Sequence, residues 1–308
     1  MKHTFTASVK EQLCRIPAER PCCTLAEAYG ILLFATSFTP RGIRHITEQE
    51  TMERRFSMIM QRAFGVTFDT RSTRATGGRT IFTLTNPVQL ERVFGKLGLD
   101  VTRVSALRLN RAMLEDDCCC SAFLRGVFLA GGSVADPARR YHLELVTPYY
   151  NLSRELVSLL QEMELEPKIT LRRANYVLYY KSSESIENFL TLIGAPIYAM
   201  RVMSAKVEKD VRNQVNRRVN CEAANIGKTV DAAYNQLRAI ERLRASGRLD
   251  GLPDELRTVA DARTAYPDYA LTPLAQTFDP PMRRATLNYR LLKLVELADK
   301  PAPGEDEK

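Results

Sequence analysis

The feature that most constrains this chain is a pair of glycine-centred apolar segments that lie 96 positions apart. One reads Ala26-Glu27-Ala28-Tyr29-Gly30-Ile31-Leu32-Leu33-Phe34-Ala35-Thr36-Ser37; the other reads Ser121-Ala122-Phe123-Leu124-Arg125-Gly126-Val127-Phe128-Leu129-Ala130-Gly131-Gly132-Ser133. Phe123, Val127, Phe128 and Ala130 cover most of a helix circumference, which predicts a helix buried nearly all round. Gly126 and Ala130 share one face of it. Glycine is a poor helix former, so Gly126 needs a packing reason, and close approach of a second helix supplies one. Gly30 aligns with Gly126 and Ser37 with Ser133, after which matches continue at an offset of 100: Thr47 with Thr147, Arg54 with Arg154, Gln61 with Gln161. An offset held across a helix, a strand and a second helix predicts a tandem duplication of the first two hundred residues.

Each copy reads as helix, strand, helix, two strands, helix. In the second copy a strand over Tyr141–Thr147 leaves the Asp136-Pro137 turn. Leu152, Leu156, Leu159, Leu160 and Met163 then recur at helical spacing. Strands over Lys168–Arg172 and Tyr176–Lys181 meet across Arg173-Ala174-Asn175, and a helix over Ser185–Ile193 ends at Gly194 and Pro196. The first copy runs parallel, with a helix over Met52–Ala63, strands over Val66–Arg71 and Arg79–Thr85, and a helix over Val88–Leu97. Basic residues fall at corresponding places in the two hairpins: Arg71, Arg74 and Arg79 in one, Arg172, Arg173 and Lys181 in the other.

After Tyr198 the pattern becomes charged helix. Lys209 to Arg248 holds nine basic residues against four acidic ones, more than half of the net charge of +8 carried by 308 residues. This asymmetry favours a polyanion-facing surface over an ordinary solvated face. Arg217, Arg218 and Lys228 are the candidates there. Leu252-Pro253-Asp254-Glu255 starts a helix that Tyr266-Pro267-Asp268 breaks. A short helix then turns Leu271, Leu274, Ala275 and Phe278 inward. A Pro280-Pro281 turn follows, and a second helix turns Leu287, Leu291 and Leu294 inward. A small alanine at the crossing of two short helices is the pattern of a helix-turn-helix. Its outward face, Arg283, Arg284, Thr286, Asn288 and Tyr289, supplies candidates for base edges, because Arg reads guanine and Asn adenine bidentately. Arg290 and Lys293 are candidates for phosphates.

Other chemistries find little support. No apolar run reaches the ~18 residues of a membrane span, and the N-terminus lacks the apolar core of a secretory signal, so a cytoplasmic location is expected; nucleoid association is expected only with the DNA-binding reading. Seven cysteines fall in runs of one, two and three. Adjacent residues on a helix point about 100° apart, so such runs give neither a disulfide framework nor tetrahedral C-x-x-C spacing, and they read as reduced small hydrophobes. No metal, cofactor or catalytic residue is expected, and the three histidines form no triad by spacing.

The paired helices resemble the motif of the LAGLIDADG homing endonucleases, whose two halves meet at such helices and whose terminal acids hold a divalent metal. Laid over Leu124–Gly132, the motif's aspartates fall on Leu129 and Gly131; over Ala28–Thr36 they fall on Leu33 and Ala35. All four positions lack a carboxylate, which removes the ligands that metal-assisted strand cleavage requires. The resemblance implies that the hairpins form a saddle for duplex DNA. Together with the run Asn216-Arg217-Arg218-Val219-Asn220-Cys221-Glu222-Ala223-Ala224-Asn225 and the terminal helix-turn-helix, the chain resembles the WhiA family of bacterial transcription regulators. Arg283-Arg284-Ala285 departs from that family's smaller polar residues.

The resemblance implies an α+β N-terminal domain, a duplicated αβαββα unit of LAGLIDADG type, followed by an all-α helix-turn-helix domain. The expected boundaries are 1–205 (half-repeats about 20–100 and 115–200), a linker at 206–215, the DNA-binding domain at 216–300 and a disordered tail at 301–308. It further implies sequence-specific binding of double-stranded DNA without nuclease activity. The setting implied is sporulation, cell division or chromosome organisation, with protein partners in transcription or division and no membrane. The alternative reading is a non-specific nucleoid-associated protein.

Overall fold

The structure, a computed structural model, describes residues 4–73, 79–99 and 107–300. The chain divides into two compact units, 1–210 and 211–308. After α1 (Phe5–Cys14), the first repeat comprises α2 (Pro21–Leu33), β1 (Ser37–Thr39), β2 (Gly42–Thr47), α3 (Glu50–Phe64), β3 (Thr70–Thr73), β4 (Thr80–Leu84) and α4 (Pro87–Lys96). The second comprises α5 (Asp117–Gly131), β5 (Gly132–Val134), β6 (Leu143–Thr147), α6 (Tyr150–Glu162), β7 (Lys168–Arg172), β8 (Asn175–Tyr180) and α7 (Ser183–Ile193). Each repeat closes a four-stranded antiparallel sheet, ordered β1-β2-β4-β3 and β5-β6-β8-β7.

The repeat is therefore duplicated strand for strand. The structure adds one element to each expected copy, the three-residue strands β1 and β5 that follow the glycine helices. Both are too short for alternation to reveal. Strand β3 starts at Thr70, whereas apolar character placed it from Val66; Val66 is buried ahead of the strand instead. Helix α1, which sequence reading passed over, buries Val9 and Leu13 in the same core.

Helices α2 and α5 form the centre of this unit. A Cβ built on Gly30 would lie 2.2 Å from the Phe123 carbonyl oxygen, and one on Gly126 would lie 2.2 Å from that of Glu27. Both distances are prohibitive, so the two backbones meet where only glycine fits. Beside this crossing, Arg55 of α3 donates from Nε and Nη2 to the two Glu27 carboxylate oxygens at 2.7 and 2.6 Å, and from Nη1 to the Ile16 carbonyl. Arg125 of α5 approaches Glu27 at 3.3 Å and donates to the Ile193 carbonyl. Burial by itself lowers the Arg125 pKa, which Glu27 partly offsets. A buried carboxylate is tolerable because it is paired bidentately.

The second unit is helical. Helix α8 (Pro196–Ala245) runs unbroken through 206–215, the span expected as a linker; α9 (Asp254–Ala265), α10 (Leu271–Ala275) and α11 (Arg284–Asp299) follow. Ala239, Ile240 and Leu243 of α8, Val259 and Ala260 of α9, Leu274 and Ala275 of α10, and Leu287, Leu291 and Leu294 of α11 share one core. Arg263 of α9 is buried too. Its Nη1 donates to the Tyr269 carbonyl at 2.6 Å, fixing the loop that leads into α10. The expected tail at 301–308 lies outside the described residues.

Candidate nucleic-acid interface

The crossing of α10 and α11 is built from small and branched residues. Leu274 and Ala275 pack on Leu287 and Leu291, Leu271 and Phe278 cover the margin, and the Met282 amide donates back to the Ala275 carbonyl at 2.9 Å. That contact holds the loop from Gln276 to Arg283 against the end of α10. The loop in turn sets the direction in which α11 begins.

With Leu287, Leu291, Leu294 and Ala298 inward, the opposite face of α11 carries Ala285, Tyr289, Leu292 and Glu296. Arg283, Arg284, Thr286 and Tyr289 are exposed at its N-terminal end, and Asn288 is half-buried on the flank. Among the described residues, neither Arg283 nor Arg284 makes an ion pair. The free amides of the first turn add to the positive potential there.

The other two candidates on this helix are engaged. Arg290 reaches Glu255 of α9 and the Met282 sulfur, so it braces α11 against α9. Lys293 pairs with Glu296 at 3.0 Å, and that hydrogen bond raises its pKa. Sequence reasoning missed Leu292, which is 56% exposed one turn beyond Tyr289. An outward apolar side chain there suits contact with a thymine methyl. It also missed Arg263 and Glu255, the residues that position the motif.

Every residue of α8 from Val211 to Ala232 is exposed. Arg217, Cys221, Ala224 and Lys228 lie at helical spacing on one face, with Arg218 beside them and paired to Glu222 at 3.0 Å. The reverse face is a ridge of Val215, Val219, Ile226 and Val230, each more than half exposed. The span is thus amphipathic, with its basic stripe set apart from its apolar one.

The hairpin candidates divide. Arg79 is tied to Glu48 at 2.6 Å and Arg172 to Glu144 at 3.0 Å, so each spends charge on a neighbouring carboxylate. Arg173 forms, with Ala174, the two-residue turn between β7 and β8; both have positive φ (50° and 63°), as tight hairpin turns of this kind require. Lys181 lies 5.3 Å over the Tyr179 ring. Arg71 lies in β3, with its side chain outside the described residues, and Arg74 lies outside them altogether. Across the outward face of the second sheet, Ser133, Glu144, Tyr179 and Lys168 form one cross-strand row of mixed charge.

At the C-terminal ends of the paired helices, the positions that align with the endonuclease acids are Leu33, Ala35, Leu129 and Gly131, and the two leucines are buried. The opposite, N-terminal ends hold a grouping that the sequence did not lead one to expect. Cys22 and Cys23 of α2 and Cys118 and Cys119 of α5 bring their four sulfurs within 4.8 Å of one another. Spacing along one helix could not reveal it, because each helix contributes only half.

Comparison with known proteins places these features together. The family profile described as the WhiA LAGLIDADG-like domain matches residues 120–212, and the one described as the WhiA C-terminal HTH domain matches 215–298. A protein of Alkaliphilus metalliredigens named "probable cell division protein WhiA" is 32% identical over 310 residues, covering 96% of this chain and 98% of its own. A Heliobacterium modesticaldum protein of the same name is 34% identical over 306 residues, covering 96% of both. Among solved structures, full-length DUF199/WhiA from Thermotoga maritima superposes with a TM-score of 0.60 at 22% identity, covering 97% of this chain and 99% of that one. The fold is the same.

Proposed function

The chain belongs to the WhiA family, and from that premise we propose that it is a sequence-specific DNA-binding transcription regulator without nuclease activity. The observation that carries this reading is the N-terminal turn of α11. Arg283, Arg284, Thr286, Asn288 and Tyr289 project there from a helix whose position is fixed by α10, by Arg290–Glu255 and by Arg263.

In this reading α11 enters the major groove. Arg284 and Asn288 contact base edges, Tyr289 and Leu292 contact apolar groups, and Arg283, Thr286 and Lys293 contact the backbone. Arg290 acts through Glu255, as a positioning residue. Arg217, Arg218 and Lys228 of α8 add sequence-independent phosphate contacts. The hairpin residues Arg71, Arg74, Arg79, Arg172 and Arg173 contribute less, because Arg79 and Arg172 already serve carboxylates. The relatives' name, probable cell division protein, supports cell division as the regulated process; the reading adds protein partners in transcription or division and a nucleoid location.

The absence of cleavage follows from the residues aligned with the endonuclease acids, none of which can ligate a divalent cation. A second reading, non-specific coating of nucleoid DNA, draws on the basic excess of α8.

Selection of genomic fragments by the purified chain at near-physiological salt separates these readings. Recovery of one short motif supports the regulator, and recovery without sequence preference supports the coating protein. Incubation of the selected duplex with magnesium is expected to leave it intact; a nicked product would overturn the non-nuclease part.

A further inference from the structure

We propose that Cys22, Cys23, Cys118 and Cys119 form a tetrathiolate site for a single zinc-class cation, clamping the two halves of the N-terminal unit where their central helices begin. The four sulfurs all lie within 4.8 Å of one another, and Cys22 and Cys23 stand 3.9 Å apart. A tetrahedral ion with Zn–S bonds of about 2.3 Å sets its sulfurs about 3.8 Å apart, so closure needs movements of about 1 Å or less, within reach of rotamer adjustment. That spacing suits one ion held by four thiolates.

The placement is symmetric, and the symmetry explains why two vicinal pairs can serve. Cys118 follows Cys22, and Cys119 follows Cys23, by the same 96 positions that separate Gly126 from Gly30. The pseudo-twofold relation between the repeats therefore turns each pair toward the other. Two adjacent cysteines on one helix diverge; two such pairs facing across an axis converge on four corners.

The helix ends favour negative charge at the sulfurs, against the desolvation of Cys23 and Cys119. Both pairs occupy the first turn of a helix of thirteen or fifteen residues, where unpaired amides favour negative charge. Arg20 is hydrogen-bonded to Cys118, while Asp116 opposes. Binding releases the thiol protons: Zn²⁺ and four thiols give a dianionic tetrathiolate and four H⁺, with no redox partner. Cys22 is exposed and provides an entry path, while Cys119 is buried and anchors the floor. Cys120 takes no part: its sulfur lies outside the group of four, and its thiol donates to the Leu114 carbonyl, as the Cys23 thiol does to that of Cys118 until metal takes its proton.

The test uses the full chain, purified under reducing conditions without chelator and then titrated with zinc or cobalt(II). One equivalent of tightly held zinc is expected, as are the near-ultraviolet thiolate-to-metal band and the visible ligand-field bands of tetrahedral cobalt(II). Both should be lost in Cys22→Ser/Cys118→Ser and in Cys23→Ser/Cys119→Ser, and kept in Cys221→Ser and Cys14→Ser. Chelation should lower the thermal midpoint of the parent by several degrees and leave the double variants unmoved, each checked for native circular dichroism. Substoichiometric metal with all four thiols freely alkylated, disulfides among the four in place of metal, or a metal retained by both double variants would each overturn the proposal.

Discussion

Gly30 and Gly126 are reciprocal: each lies against the backbone of the helix that carries the other, and a methyl on either would overlap a carbonyl oxygen. The duplication visible in the sequence is thus also a packing relation, in which the same residue type solves the same close approach twice. Because the obstructing atoms are backbone, a side-chain rotation cannot relieve the clash. Gly30→Ala and Gly126→Ala are each predicted to destabilise the N-terminal unit by about 3 kcal/mol, at the upper end of overpacking costs. The pair should be markedly non-additive, since one separation of the helices admits both methyls. Urea unfolding measures this; losses below about 1 kcal/mol would mean that the helices slide apart freely.

Glu27 is the only carboxylate of the Arg55–Glu27–Arg125 group, and both it and Arg55 are buried. Glu27→Ala should cost about 3–5 kcal/mol, because Arg55 is left charged without a counter-ion in the core. Glu27→Met combined with Arg55→Met should recover much of that loss. If the double variant proved no more stable than Glu27→Ala alone, the cost would come from shape and not charge.

His45 lies on β2 against Phe56, with ring centroids 4.6 Å apart. Burial, helped by the positive Lys10, holds its pKa down to about 4 from an ordinary 6.5. The unfolded chain therefore takes up a proton first on acidification. Stability should be level above pH 6.5, fall between 6.5 and 4, and lose up to about 3 kcal/mol there. His45→Phe should remove that contribution, so the difference between parent and variant across this window isolates it. An unchanged slope would show that His45 is protonated in the folded state.

The basic stripe of α8 makes a separate prediction. Arg217→Ala and Lys228→Ala should each weaken binding to every DNA sequence alike and reduce the slope of log affinity against log salt by about one. Fluorescence anisotropy from low to moderate salt reads this directly. An unaltered slope would place α8 away from the duplex.

Much of this was legible beforehand. The repeat announced itself through paired glycines and a steady offset, and Leu287, Leu291 and Leu294 announced the inward face of α11 through their spacing. What was hidden arises from contacts that no local pattern encodes. Strands β1 and β5 are held by pairing with β2 and β6, and not by their own three-residue pattern. Arg290 looked free for phosphate until α9 brought Glu255 beside it. Arg263 is buried on α9 because its guanidinium meets the carbonyls of Tyr266, Pro267 and Tyr269, a contact made by a loop and by no pattern within the helix. The four cysteines met only because two helices, each with half a set, start side by side.

The most direct test of the account is the ratio of affinities for a selected motif and for a scrambled duplex, measured at one salt concentration for the parent and for Arg284→Ala/Asn288→Ala. Each lost base contact should cost about 1–3 kcal/mol of discrimination. The variant's ratio should fall by at least tenfold, while its affinity for scrambled DNA changes little. A variant that discriminates as well as the parent would contradict base readout by α11 and move recognition to another part of the chain.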